Sequence, residues 1–221
     1  MRAWRDALLL HLFIAAATGG VFFALRPPEL GWGILGLVAV YNLLLPLIAS
    51  RGGHREWLEL WLFLLPLSVL QVLPDWVLTQ QFGILGFPDL GGPHIGAVPA
   101  YMAGMWVIPL FWILWLAGRS TLTAAILALL VFAGAEWAAR PLQLWHSQHV
   151  SQFMGVADYV LLPEMLLGWA ATYAFEQTRE SNPFARLGAA ACVTSFYTGA
   201  LVLAYFLSEH VGLRLPSSLL H

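Results

Sequence analysis

Apolar residues run along this chain in stretches of about twenty, separated by short segments rich in Gly, Pro, Arg and His. About 20 such residues in a helix cross the hydrocarbon core of a bilayer. Seven stretches reach that length: residues 7–25, 30–50, 57–79, 97–118, 121–144, 156–176 and 187–208. The pattern predicts an all-α fold, a polytopic integral membrane bundle of about seven transmembrane helices. The first stretch follows Arg2 and Arg5 and contains Ala15-Ala16-Ala17, so a cleaved leader is its alternative reading. Its apolar run continues to Leu25, which is long for a leader, and a retained helix is expected. The longest breaks are 80–96 and 145–155, and neither resembles a linker. Residues 1–221 therefore read as a single integral membrane domain, and the sequence offers no convincing internal repeat.

Composition supports the same class. The chain is 60% hydrophobic and 10% charged, with 11 Trp and a mean hydropathy of +0.75. A soluble surface needs more charge than that. The formal net charge of −2 argues against nucleic acid as a partner. All ten basic residues are Arg, which excludes a Schiff-base lysine and a P-loop. With the N-terminus inside, Arg2, Arg5, Arg51, Arg55, Arg119, Arg179 and Arg186 fall on the inner side. Arg26, Arg140 and Arg214 fall outside. The positive-inside rule then favours a cytoplasmic N-terminus and, for such a protein, a bacterial inner membrane.

With so few charges, those inside apolar stretches carry the most information. Each costs about 2.5–3.5 kcal/mol at the centre of a spanning helix. Ser68, Gln71, Asp75 and Thr79 recur at helical spacing and define one polar face, between kinks expected at Pro66 and Pro74. Glu136 and Arg140 are four apart and can pair. Asp158 and Glu164, six apart, point about 120° away from each other if helix is continuous. Glu164 would then lie near mid-membrane, where an unpaired carboxyl group is held neutral and can give up a proton. Asp75, Glu136, Arg140 and Glu164 are the candidate catalytic residues, against a structural reading as packing pairs. Trp106, Trp112, Trp169 and Tyr101 are candidates for lining an apolar substrate site, where rings stabilise cations.

The remaining polar residues say less. His94, His146 and His149 are expected at the surface, and His11 as a hydrogen-bonded packing residue. Cys192 reads as a small packing residue. The chain has neither the E-x-x-H pair of di-iron bundles nor the H-E-x-x-H of zincins, so no metal or cofactor is expected.

Several segments follow a familiar order. Phe87-Pro88-Asp89-Leu90-Gly91-Gly92-Pro93-His94-Ile95-Gly96-Ala97-Val98-Pro99 leads to Val107-Ile108-Pro109-Leu110-Phe111-Trp112. Glu136, Arg140-Pro141 and Leu144-Trp145 come next, then Tyr159-Val160-Leu161-Leu162-Pro163-Glu164 and Gly168-Trp169. Over residues 68–175 this resembles the membrane carotenoid hydratases and, more remotely, the heterodimer-type lycopene cyclases. It differs from their pattern at Arg140-Pro141, where an Asp-Pro element is expected, and at Glu164, where the hydratases carry an amide. The resemblance implies acid–base hydration or cyclisation of an isoprenoid alkene, without cofactor. Glu164 would be the proton donor, Asp75 or Glu136 its partner, and Arg140 the residue that fixes Glu136. The implied partners are the bilayer and an apolar isoprenoid or lipid ligand, and a homo-oligomer is compatible. The rival class is a non-catalytic lipid-binding, assembly or proton-coupled transport protein.

Overall fold

The computed structural model describes residues 2–213. Arg214, counted above on the outer side, lies outside them. The chain is mostly helical, at 72%, and five of its helices are long and apolar enough to cross a membrane. These are α1 (Arg2–Ala24), α2 (Glu29–Gly52), the stretch Arg55–Gln81, α7 (Thr121–Ala139) and α9 (Pro183–Glu209). Their outward faces are apolar, with Leu12, Leu43, Leu122 and Leu130 well exposed. Local chemistry sets the ends. Ser120 caps α7 by accepting from the Thr123 N–H at 3.2 Å, and Asn182 caps α9 by accepting from Ala185 at 3.0 Å.

The stretch Arg55–Gln81 is not one regular helix. It divides into α3 (Arg55–Leu70), α4 (Val72–Trp76) and a π-helical turn (Val77–Gln81). Pro74 has no N–H for the Leu70 carbonyl, and the helix breaks at Gln71 between them. The polar face foreseen here is buried: Ser68 and Gln71 are fully enclosed and Asp75 nearly so.

Two of the seven expected spans begin their helices later than the sequence suggests. The fourth becomes α5 (Met102–Met105) and α6 (Val107–Ala117), and the sixth becomes α8 (Leu161–Thr178). Their first residues are spent on short strands. β2 (His94–Ile95) pairs with β3 (Val98–Pro99), and β5 (Gln152–Phe153) pairs with β6 (Val156–Ala157). A third pairing joins the two long loops, β1 (Leu85–Gly86) with β4 (His146–Ser147). The fold is thus helical with three small strand pairs rather than purely α.

Two of these strand pairs are hairpins of matching geometry. Each hairpin has a two-residue turn, Gly96-Ala97 or Met154-Gly155. Ala100 N–H donates to the Pro93 carbonyl at 2.9 Å, and Asp158 N–H donates to Ser151 at 3.1 Å, at matching positions. A buried tyrosine, Tyr101 or Tyr159, comes two residues after each hairpin. The helices before the hairpins carry Asp75-Trp76 and Glu136-Trp137. One unit therefore runs from α3 to α6 and the other from α7 to α8. Both start at the same end and meet through β1 and β4.

Ion pairs mark the end where both units start. Arg179 on the α8 end bonds Glu59 at 2.9 Å, and Arg55 bonds Glu59 at 2.9 Å. Arg119 bonds Glu176 at 3.1 Å, and His54 meets Asp6 at 2.9 Å. The hydrogen bond that Arg179 donates to the Glu59 carboxylate raises the proton affinity of Arg179 above its ordinary value. Together with Arg2, Arg5 and Arg51, the described arginines predicted to lie inside gather here.

Candidate functional site

Three of the four proposed acid–base residues converge at the other end of the bundle. Asp75 comes from α4, Glu136 from α7 and Glu164 from the first turn of α8. They line one small cavity of about 40 Å³ with Trp106, Trp145, Tyr159 and Tyr197. That is room for a very few waters. Asp75 is 6% exposed and Glu164 2%. Glu164 lies within electrostatic range of both Glu136 and Asp75. One oxygen of Asp75 and one of Glu164 are buried without a hydrogen-bond partner among the described residues.

Glu164 is not deep by helical rise. Since α8 begins at Leu161, the residue stands in the opening turn, about 4.5 Å from its start. It is buried because hairpin β5–β6, α7 and α9 close over it. An acidic group in a first helical turn also meets the positive end of the helix dipole. Asp158 lies ahead of α8 in the turn after β6, so the helical angle expected between it and Glu164 does not apply. It lines neither this cavity nor the groove beside it.

The expected Glu136–Arg140 pair does not form: no ion pair joins them within 4 Å. Helix α7 ends at Ala139, and Arg140 turns outward, exposed, toward an outer polar pocket of about 370 Å³. Glu136 instead accepts the Trp145 indole N–H at 2.8 Å. Arg140 therefore does not fix Glu136. Trp145, nine residues further along the chain, does. Trp106 acts on the Asp75 carboxylate, though the pair falls short of full hydrogen-bond geometry.

An apolar groove of about 640 Å³ adjoins the carboxyl cavity. Met102, Trp106, Glu136, Trp145 and Glu164 line both. The groove runs between α1, α6 and α7, past Ile14, Trp112 and Phe132. Its volume falls within the range of small-ligand sites. His11 borders it, held by the Ala7 carbonyl at 2.9 Å and the Tyr41 hydroxyl at 3.1 Å. With Nδ1–H donating to the carbonyl, Nε2 accepts from Tyr41, as a packing role requires.

The aromatic candidates divide. Trp106 and Trp112 line the groove. Trp169 is 42% exposed on the outer side of α8, stacked on Tyr173, and does not. Tyr101 is buried in a satellite core with Val98 and Met102 and lines neither cavity. Sequence reasoning missed Tyr159, Tyr197 and Trp145. The signal for Tyr197 was its place in the buried α9 stripe with Val193, Thr194 and Leu201. His94, His146 and His149 are exposed as expected, while Cys192 faces outward rather than into the bundle. Among the described residues no group of three or more His, Cys, Asp or Glu is placed to hold a metal ion.

These features define a helical protein with apolar helices of membrane-spanning length and a carboxyl-lined cavity between two units. The chain belongs to the family described as Domain of unknown function (DUF6989), which matches residues 72–208. That match takes in both hairpins and all three carboxyl groups, and begins after α3. No curated protein and no solved structure matches the chain.

Proposed function

We propose that this is a polytopic integral membrane enzyme of about seven spans that performs carboxylate acid–base chemistry on an apolar isoprenoid or lipid alkene. The carrying observation is that a cavity lined by Asp75, Glu136 and Glu164 opens onto an apolar groove. The reading draws on the resemblance to carotenoid hydratases and cyclases noted above. In it the arginine-rich end and the N-terminus face the cytoplasm of a bacterial inner membrane.

In this scheme the Glu164 carboxylic acid gives its proton to one alkene carbon, forming a C–H bond from the π pair. The other carbon becomes cationic, and the ring of Trp106 faces it. For hydration, water attacks that carbon and loses its proton to Glu136 or Asp75; that proton then passes to the Glu164 carboxylate, so one water is added overall and the site is restored. For cyclisation, a second double bond attacks and a neighbouring carbon loses a proton to the same carboxylate, so the product is an isomer. Trp145 stabilises Glu136 as the accepting partner. Groove walls exclude bulk water and hold the chain.

Glu164→Gln and Asp75→Asn test the scheme in cells that make the native lipid or pigment. Each should leave folded protein in the membrane and lower product at least about 100-fold, the scale of general acid–base catalysis. Unchanged lipid and pigment content in both variants sinks the reading.

A proton-relay reading has one observation of its own. Asp75, Gln71 and Ser68 on α3–α4, and Glu164, Gly168 and Thr172 on α8, form rows that run from the cavity toward the arginine-rich end. The Ser68, Gln71 and Thr172 side chains are buried without hydrogen-bond partners among the described residues. If the two substitutions abolish proton-dependent uptake rather than a product, this second reading holds.

A further inference from the structure

A separate cleft of about 540 Å³ lies at the arginine-rich end, between α1 and α2. Arg2, Arg5 and Arg51 surround its mouth, and Leu9, Phe13 and Leu47 form its floor. On α1 the order Arg2, Arg5, Leu9, Phe13 makes one stripe at helical spacing, charged at the tip and apolar below. On α2, Leu47 and Arg51 repeat that order four residues apart. The floor residues are large and exposed, Leu9 at 59% and Phe13 at 54%.

Charge at the mouth is not balanced. Three guanidinium groups meet one carboxylate, Asp6, which lies 3.1 Å from Arg5 and 3.8 Å from Arg2 and also contacts His54. Arg51 makes no ion pair among the described residues. Its place in the last turn of α2 complements the helix dipole, but that does not account for two more arginines on the facing helix.

We propose that this cleft binds an anionic phospholipid, with its phosphate among the three guanidinium groups and its acyl chains along the α1–α2 floor. Planar guanidinium forks match phosphate oxygens. The charged-then-apolar order on both helices follows the polarity of a phospholipid, and free phosphate would have no use for the floor. The inference rests on the membrane placement proposed above and is independent of the chemistry at the carboxyl cavity.

Native mass spectrometry of the full chain, purified in detergent and titrated with phosphatidylglycerol or phosphatidylethanolamine, tests it. Phosphatidylglycerol should be retained in preference. Arg2→Gln, Arg5→Gln and Arg51→Gln should each weaken its retention about fivefold, from about 1 kcal/mol per arginine near a lipid surface. Arg26→Gln, at the far end of α1, should change nothing, and thermal melts should report folded protein in all four variants. Equal retention of the two lipids, or an equal effect of Arg26→Gln and Arg51→Gln, overturns the proposal. Displacement of the lipid by an equal concentration of inorganic phosphate also overturns it. A carbonate wash beforehand separates the failures. Release of the chain from membranes defeats the placement and the cleft together, whereas a retained chain without lipid preference defeats the cleft alone.

Discussion

Trp145 donates to Glu136 at 2.8 Å in a partly buried site, where losing a donor to a carboxyl group leaves that group short of a partner. Trp145→Phe keeps the ring and removes the donor. It should lower stability by about 1–3 kcal/mol, read as a drop in Tm in detergent. Arg140→Gln should change stability by less than about 0.5 kcal/mol in the same measurement, because Arg140 is exposed and unpaired with Glu136. A large loss in Arg140→Gln with none in Trp145→Phe would reverse the assignment made here. At this scale the sequence singled out three carboxyl groups that the fold brings to one cavity. Buried charge is scarce in an apolar chain, so Asp75, Glu136 and Glu164 stood out. It could not select their partners, because rings are common throughout and only packing distinguishes Trp145 from the outward Trp169.

Helix α8 meets α7 along a close seam that Gly168 permits. A Cβ at that position would fall on the Ala128 side chain and the Ala124 carbonyl. Gly168→Ala should force the two helices apart and cost about 1–3 kcal/mol, measured by thermal unfolding. Because α7 and α8 carry Glu136 and Glu164, the same change should weaken binding of the proposed apolar ligand. Unaltered stability and binding would show that the seam is loose. A similar constraint operates where the loop meets α2, since a Cβ on Gly31 would strike the Gly91 carbonyl. Helix existence was legible in the apolar runs. Helix starts were not, since residues 97–101 and 156–160 are as apolar as the helices that follow. Those positions became hairpins and turns because two short strands can pair there, a contact between chain segments rather than a property of either.

The whole molecule has two distinct ends. Arg55, Arg119 and Arg179 share ion pairs at one end, and β1 and β4 join the long loops at the other. In a Cys192→Ala background, His94→Cys should react with a membrane-impermeant thiol reagent added to intact cells. Glu180→Cys should react only after the membrane is opened. Labelling of both from the same side would rule out the proposed arrangement of spans. Both α3 and α7 begin at the arginine-rich end, so the carboxyl-bearing segments that follow arrive together at the opposite end.

The sequence by itself determined the class of structure. Runs apolar and long enough to span a membrane, with charge scarce, favour helices, which satisfy their backbone hydrogen bonds internally. It also determined which ionisable groups were worth following, through the high cost of burying each. Only the tertiary structure decided that Asp75, Glu136 and Glu164 meet, that Arg140 stands apart, and that two short hairpins shape the cavity. Those outcomes depend on groups 28 to 89 residues apart in the chain coming to one place. Such convergence follows from packing between elements, which no local pattern of apolar and polar residues encodes.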